Sequence, residues 1–189
     1  MPSQDLSQHS QIEELFVGFA GHIGAGKTSA AHYLSTNYKF QYRRYSQVLD
    51  NWLNSEYSSG QGLQQFGWEV MAGGRQVELN ARLIAQLDRS RSAAIDGLRH
   101  PIDFHSLAYA FGASFELVFI EAPAGTRFKR KPRFSTFDAF LAADTMPVEA
   151  HIDELRPLAT TVVRNEASLE SFYKRLECWV TSSKRRKRT

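Results

Sequence analysis

Eight consecutive residues near the start of the chain have types and spacing that suit phosphate binding. Residues 21–28 read Gly-His-Ile-Gly-Ala-Gly-Lys-Thr and match the pattern G-x-x-x-x-G-K-[ST] at every position. The glycines let the backbone curl so that consecutive N–H groups point at phosphate oxygens, and the lysine reaches the β- and γ-phosphates. A chance glycine-rich turn is the alternative, but an apolar strand precedes the pattern and a helix is predicted after it. The predicted ligands of a nucleoside triphosphate are Gly21, Ile23, Gly24, Ala25, Gly26, Lys27, Thr28 and Ser29.

An aspartate at the end of another predicted strand is the second candidate for chemistry. Residues 93–95 form a short apolar run that ends in Asp96 and Gly97. A carboxylate beside the phosphate-binding loop can hold Mg²⁺ directly or through water, together with the hydroxyl group of Thr28. The ordinary alternative is a turn, because aspartate is common before glycine in turns. Position and residue type favour Mg²⁺, so Thr28 and Asp96 are the predicted metal ligands.

Short apolar runs alternate with helical patterns along most of the chain. The predicted strands cover residues 15–20, 40–45, 93–97, 115–120 and 160–163. The predicted helices cover residues 27–36, 47–57, a broken stretch up to 87, 102–111, 126–131 and a last helix capped by Ser168. This alternation predicts an α/β fold, a three-layer P-loop NTPase domain in which a parallel sheet of about five strands has helices on both faces. The ligand site of such a sheet lies at the carboxyl ends of its strands, where both candidate sites fall.

Three segments together resemble the nucleoside monophosphate kinases and the dephospho-CoA kinases. They are the phosphate-binding loop, the run Asp96-Gly97-Leu98-Arg99, and residues 119–123 with Arg127 and Arg130 behind them. The resemblance implies transfer of the γ-phosphoryl group of ATP, with Mg²⁺, to a phosphorylated small-molecule acceptor. It favours a nucleoside or deoxynucleoside monophosphate, with dephospho-CoA as the alternative, and it makes Arg99 a ligand of the acceptor phosphate. The catalytic residues it implies are Lys27, Asp96, Arg99, Arg127 and Arg130.

A basic segment occupies the place that the lid has in these kinases. Five of the seven residues in 127–133 are lysine or arginine, and residues 134–146 follow them. A basic lid over residues 127–148 would close on the triphosphate, exclude water and neutralise the transferring group. Arg127 and Arg130 are its expected contacts. The alternative is the solvated basic end of a helix.

The chain departs from the resembled families after its second predicted strand. Gln47 stands where these families usually have an aspartate, and Asp50 stands where adenylate kinases have an arginine. The departure removes the general base expected of a dephospho-CoA kinase, and it leaves a regulatory or interaction module that binds ATP as a rival interpretation. Three arginines could bind phosphate in place of the missing arginine, or they could be ordinary surface residues. They are Arg43, Arg44 and Arg75.

The composition predicts one folded domain. Of its 189 residues, 42% are hydrophobic and 12% are aromatic, which is typical of a folded globular protein. The length suffices for one domain with an apolar core and is short for two domains. Cys178 is the single cysteine, so no internal disulfide can form. Residues 1–14 are polar and do not resemble a signal peptide, and no apolar run reaches the roughly 18 residues of a membrane span. These features indicate a cytoplasmic protein with no membrane partner; its oligomeric state stays open.

The positive charge is concentrated at one end of the chain. The net charge is +3, but residues 184–188 carry five positive charges, so the rest of the chain carries −2. A protein that binds nucleic acid would spread its charge over a folded face, so that partner is not expected. We expect a kinase domain over residues 15–182 and a solvated, disordered basic tail over residues 183–189.

Overall fold

A parallel five-stranded sheet organises residues 14–56 and 62–186, which are the residues described by the computed structural model. All four strand pairings are parallel, and the strands lie in the order β2-β3-β1-β4-β5. The predicted α/β three-layer fold is confirmed, including the position of the third strand beside the first. The strands are β1 (Phe16–Ala20), β2 (Gln41–Arg44), β3 (Ala93–Leu98), β4 (Phe115–Glu121) and β5 (Thr161–Arg164).

The helices connect and cover these strands. The long pattern up to residue 87 forms two helices that break at Gly73 and Gly74, as the sequence indicates. Two 3₁₀ turns cover Gly112–Ser114 and Pro147–Glu149. No helix of the described residues is both long and apolar enough to cross a membrane. The helices are α1 (Lys27–Tyr38), α2 (Tyr45–Glu56), α3 (Leu63–Ala72), α4 (Gln76–Ile84), α5 (Pro101–Phe111), α6 (Ala124–Lys129), α7 (Phe137–Asp144), α8 (Ile152–Leu155) and α9 (Leu169–Arg186).

Each face of the sheet has its own apolar core. Successive side chains of a strand point to opposite faces, so Phe16 and Val17 of β1 belong to different clusters. The cluster that contains Phe16 includes residues of α2 to α5, among them Trp52. The cluster that contains Val17 includes residues of α1 and α9, among them Leu34 and Phe172. Burial on both faces explains why β1 and β4 consist almost entirely of buried residues.

A bulge at the end of β3 sets the direction of the chain beyond Asp96. Phe19 pairs with Asp96, but the next residue, Ala20, pairs with Leu98, so Gly97 is an extra residue. Gly97 has a φ of 93°, a left-handed backbone conformation that side chains other than glycine rarely adopt. The bulge therefore leaves Asp96 at the carboxyl edge of the sheet and turns Arg99 away from the ladder.

The C-terminal helix continues beyond the predicted domain end. Residues 183–186 belong to α9 and do not form the solvated tail expected from the charge run. The cause is Glu116 on β4, a buried carboxylate that requires donors. Trp179 Nε1 and Ser183 Oγ donate to its Oε2 at 3.2 and 2.9 Å, and Arg186 Nη2 lies 3.3 Å from its Oε1. The rest of the expected tail, residues 187–189, and residues 1–13 of the polar N-terminal segment lie outside the described residues.

Truncation tests whether residues 183–186 stabilise the folded chain through Glu116. Ending the chain after Ser182 removes two of the donors to Glu116, so we expect the free energy of unfolding to fall by about 2 kcal/mol or more. In a chain of this size that loss corresponds to a drop in Tm of about 5 °C. The matched control ends after Arg186 and keeps all three contacts to Glu116. Equal melting temperatures for the two truncated proteins would show that Glu116 does not depend on the end of α9.

Candidate active site

The phosphate-binding loop joins β1 to α1 and has the backbone that its glycines predict. Gly21, Gly24 and Gly26 have φ values of 135°, 79° and 117°. A methyl group on Gly24 would lie 2.7 Å from the carbonyl oxygen of Arg127, so alanine is excluded by space as well as by φ. Because α1 begins at Lys27, the N–H groups of Lys27, Thr28 and Ser29 have no carbonyl partners within the helix and can bind an anion.

Side chains from distant segments hold this loop in place. Asn165, just after β5, donates from Nδ2 to the carbonyl oxygen of Ala25 at 2.8 Å. Asp144, at the end of α7, accepts the N–H of Ile23 at 3.2 Å. Arg127 donates from Nη1 to the carbonyl oxygen of Ile23 at 3.0 Å and to Asp144 at 2.7 Å. The loop is therefore fixed by neighbours on the β4–β5 side of the sheet.

Arg127 has a different position from the one expected of a lid arginine. Its side chain is buried, its Nε donates to the carbonyl oxygen of Ala122, and it forms a buried ion pair with Asp144. It lies behind the phosphate-binding loop and not in the lining of the cleft in front of it. The physical reason is Asp144, which lies 17 residues further along the chain and gives Arg127 an internal partner. In this structure Arg127 supports the loop and does not line the cleft in front of it.

Thr28 and Asp96 meet at the base of the loop. Thr28 Oγ1 donates to Asp96 Oδ2 at 2.7 Å, and Tyr42 donates its hydroxyl to the same oxygen at 3.1 Å. Asp96 is only 2% exposed, and the guanidinium of Arg44 lies 3.8 Å away. Burial, with the charge of Asp96, raises the pKa of Tyr42 to about 12, so its hydroxyl stays protonated and donating. A hydroxyl and a carboxylate side by side are oxygen ligands of the kind that Mg²⁺ prefers, so the predicted pair fits that ion.

Lys27 folds over the mouth of the loop. Its Nζ donates to the carbonyl oxygens of Gly21 and His22, the second at 3.1 Å. Burial lowers the pKa of Lys27 to about 8, with the positive charge of Arg99 as the next cause, although Asp96 and Glu149 act in the opposite direction. A lysine whose charge is so poorly compensated gains stabilisation when an anionic phosphate arrives.

A cleft of about 660 Å³ opens in front of the loop. Two acidic side chains, Asp96 and Glu149, line it. Its remaining lining includes Ser46, Gln64 and an apolar wall from α2, α3 and the turn after α7. Cations therefore outnumber carboxylates, as binding of a triphosphate requires. Besides Lys27, the cations that line it are Arg44, Arg99, Arg130, Lys131 and Arg133.

Arg99 lies on the far side of this cleft from the loop's supports. Its Nε is 3.0 Å from Oε1 of Glu149. Its backbone N–H donates to Asp103 Oδ2 at 2.9 Å, and Asp103 is buried. Gln76 and Asn80 donate to the other oxygen of Asp103, so α4 and α5 fix the segment that carries Arg99. Arg99, the residue predicted to bind the acceptor phosphate, is thus held through both its side chain and its backbone.

The basic segment after β4 forms two short helices joined by a turn. Arg130 Nη2 donates to the carbonyl oxygen of Asn165 at 3.0 Å and to its Oδ1 at 3.2 Å. Arg130 lines the cleft with Lys131 and Arg133. The segment has its own aromatic contacts, which involve Phe128, Phe134, Phe137 and Phe140.

Several residues of the site were not singled out from the sequence. Asn165 directly follows β5, and that position could have indicated it, whereas Tyr42 lies within β2 and carried no such signal. Glu149 carried no signal, because it lies in a short turn far from Arg99 in the chain. Of the three arginines considered as phosphate ligands, Arg44 lines the cleft. Arg43 donates to the carbonyl oxygen of Gln86 and Arg75 donates to Glu78, and neither lines the cleft.

Comparison with known proteins relates this arrangement to one fold. No protein-family model and no curated protein sequence matches the chain. Among solved structures, shikimate kinase from Acinetobacter baumannii in complex with shikimate is similar with a TM-score of 0.59, 14% identity, and coverage of 90% of this chain and 96% of that one. The APS kinase of Mycobacterium tuberculosis in complex with AMPPNP and APS is similar with a TM-score of 0.60, 15% identity, and coverage of 89% and 98%. The chain has the fold of the P-loop kinases.

A gluconokinase from Sinorhizobium meliloti 1021 gives the same result. Its TM-score is 0.60 at 13% identity, with coverage of 90% of this chain and 93% of that one. The chain therefore spans nearly the whole length of each of these kinases. At identities this low, the TM-scores establish a common fold and do not establish a common activity.

The lowered pKa of Lys27 predicts how stability depends on pH. Folding lowers this pKa from 10.5 to about 8, so between these values the unfolded chain binds the proton and the folded chain does not. Stability therefore rises with pH over this window. Between pH 7.5 and pH 9.5, the free energy of unfolding of the wild type should rise by about 1 kcal/mol or more relative to Lys27→Met. Urea unfolding at both pH values measures the difference, and parallel pH profiles would contradict it.

Proposed function

We propose that the protein is an ATP-dependent phosphotransferase that acts on a small-molecule acceptor. The observation that carries the proposal is one continuous cleft lined by two groups of phosphate-binding side chains. The first group is the phosphate-binding loop with Lys27 and the bonded pair of Thr28 and Asp96. The second group is Arg44, at the end of β2, and Arg99, just after β3, which do not belong to the loop. Cations in addition to those of the loop suit a reaction in which an anionic acceptor is bound beside the nucleotide.

ATP with Mg²⁺ is the proposed phosphoryl donor at the loop. Lys27 and the N–H groups at the start of α1 bind the β- and γ-phosphates, and Thr28 and Asp96 hold the metal directly or through water. Bound Mg²⁺ would neutralise charge on the transferring group. Arg130 is the proposed lid contact to the triphosphate. Because phosphoryl transfer needs little covalent chemistry from the protein, this positioning and charge neutralisation supply most of the catalysis.

The part of the cleft that contains Arg44 and Arg99 suits a small anion that also has an apolar face. Arg99 and Arg44 offer planar guanidinium groups that bind phosphate or carboxylate through two hydrogen bonds. Leu49, Leu63 and Val148 contribute apolar lining to the same cleft. A nucleoside or deoxynucleoside monophosphate satisfies both requirements, and so does dephospho-CoA. Shikimate and APS, the molecules bound in two of the similar structures, extend the set of anionic acceptors to be tested.

An assay of acceptor-stimulated ADP formation tests the proposal. Wild-type protein with Mg²⁺ and ATP is incubated with AMP, CMP, UMP, dTMP, dephospho-CoA, shikimate, APS or gluconate, and ADP is measured by a coupled reaction. We expect stimulation by at least one acceptor. Lys27→Ala should reduce it by a factor of about 10² or more, with an unchanged fold. ATP binding without stimulation by any of these acceptors would instead support a regulatory or interaction module, the rival suggested by Gln47.

Arg99→Ala should weaken binding of the acceptor and spare that of ATP. Removing a guanidinium that forms two bonds to the acceptor's anion should raise the acceptor KM by about tenfold or more, or about 1.4 kcal/mol. The Kd of ATP should stay close to the wild-type value because the loop makes those contacts. Arg99→Lys should recover only part of the loss.

The matched control for Arg99 is Arg43→Ala. Arg43 lies on the neighbouring strand β2 and donates to the carbonyl oxygens of Gln86 and Tyr42, outside the cleft. The Arg43→Ala substitution should change neither the acceptor KM nor the Kd of ATP. An unchanged acceptor KM in an active Arg99→Ala enzyme would exclude Arg99 from the acceptor site.

A further inference from the structure

Glu149 is a buried carboxylate, and one of its two oxygens has no hydrogen-bond donor among the described residues. It ends the 3₁₀ turn Pro147–Glu149, lines the cleft and is 4% exposed. Its Oε1 lies 3.0 Å from the Nε of Arg99. Its Oε2 is buried and accepts no hydrogen bond from any of the described residues. A buried carboxylate oxygen without a donor is costly, so a ligand that brings a donor to it is stabilised.

Asp96 and Glu149 are the two carboxylates among the described residues that line the cleft. Asp96 already accepts the hydroxyl hydrogen bond of Thr28, whereas Glu149 contacts Arg99, the proposed ligand of the acceptor. An acceptor bound at Arg99 within this cleft therefore lies against Glu149.

The charge of Glu149 discriminates between two kinds of attacking group. A phosphate oxygen, as in a nucleoside monophosphate, is already anionic, needs no base, and is repelled by a neighbouring carboxylate. An alcohol donates its O–H to a carboxylate and must lose the proton during transfer. The unpaired oxygen of Glu149 suits the alcohol and disfavours the phosphate.

On the basis of the function proposed above, we propose that Glu149 is the general base and that the acceptor attacks through a hydroxyl group. The carboxylate of Glu149 accepts the hydroxyl hydrogen bond and then the proton. The alcohol oxygen forms the new bond to the γ-phosphorus as the bond from that phosphorus to the bridging oxygen breaks. ADP leaves with the electron pair, and the product is a phosphate ester.

This assignment supplies the base that α2 lacks. Gln47, which stands where the resembled families have an aspartate, is exposed and lies outside the lining of the cleft. Glu149 lines the cleft from the turn that follows α7. Among the acceptors considered, dephospho-CoA and anionic hydroxylated molecules such as shikimate then rank above the nucleoside monophosphates.

The test compares wild type, Glu149→Gln and Glu149→Asp with Glu154→Gln as the matched control. Glu154 is an exposed carboxylate of α8 that pairs with His151 outside the cleft, so the same change there should have no effect. Steady-state kinetics are measured with the acceptor that stimulates ADP formation most. The Kd of ATP is measured by titration calorimetry, melting curves report folding, and ³¹P NMR identifies the product.

We expect Glu149→Gln to lower kcat by about 10²-fold or more, with the Kd of ATP within about twofold of wild type. Glu149→Asp keeps the charge but shortens the side chain by one methylene group, so its kcat should fall less. This variant also tests the assignment if Glu149→Gln fails to fold. The ³¹P spectrum should show a phosphate ester.

Two results with an active wild type would overturn the assignment alone. One is a diphosphate product, which means that a phosphate oxygen attacked. The other is an unchanged kcat with a raised acceptor KM, which means that Glu149 only orients Arg99. Absence of ADP formation with every acceptor would overturn the proposed function and this assignment together.

Discussion

The hydrogen bond from Thr28 to Asp96 is the contact on which the site depends. It joins the first turn of α1 to the end of β3, two elements 68 residues apart in the chain that meet only because β3 lies beside β1. Thr28 is fixed by the phosphate-binding loop, and Asp96 is fixed by the bulge at Gly97. If either element shifted, the loop could still bind phosphate, but the oxygen pair proposed for Mg²⁺ would separate. The parallel sheet is thus the means by which two short motifs become one site.

The remainder of the site is organised around electrostatic compensation. The loop is supported by a buried ion pair, Arg127 with Asp144, whereas the cleft in front of it carries an excess of cations. Burial lowers the pKa of Lys27, and Oε2 of Glu149 has no hydrogen-bond donor among the described residues. A bound phosphate donor would supply an anion to Lys27, and an alcohol acceptor would supply a hydrogen-bond donor to Glu149.

The sequence allowed prediction of the features that are encoded locally. The loop follows from an eight-residue pattern, the five strands from apolar runs, and the place of Asp96 from strand order. Features that depend on distant partners were not predictable. Arg127 was expected in the cleft because its partner Asp144 could not be anticipated, and α9 was ended too early because Glu116, the buried partner of Ser183, lies on another element. Glu149 escaped notice for the same reason, since its partner Arg99 is 50 residues away.

Equilibrium binding of the ATP analogue AMPPNP tests the central claim most directly. Titration calorimetry would compare wild type with Asp96→Asn, each with and without Mg²⁺. The account predicts one analogue bound per chain, tighter binding with Mg²⁺ in the wild type, and loss of that Mg²⁺ effect in Asp96→Asn, since the carboxylate that helps to hold the metal is gone. Failure of the wild type to bind the analogue, or an undiminished Mg²⁺ effect in Asp96→Asn, would contradict it.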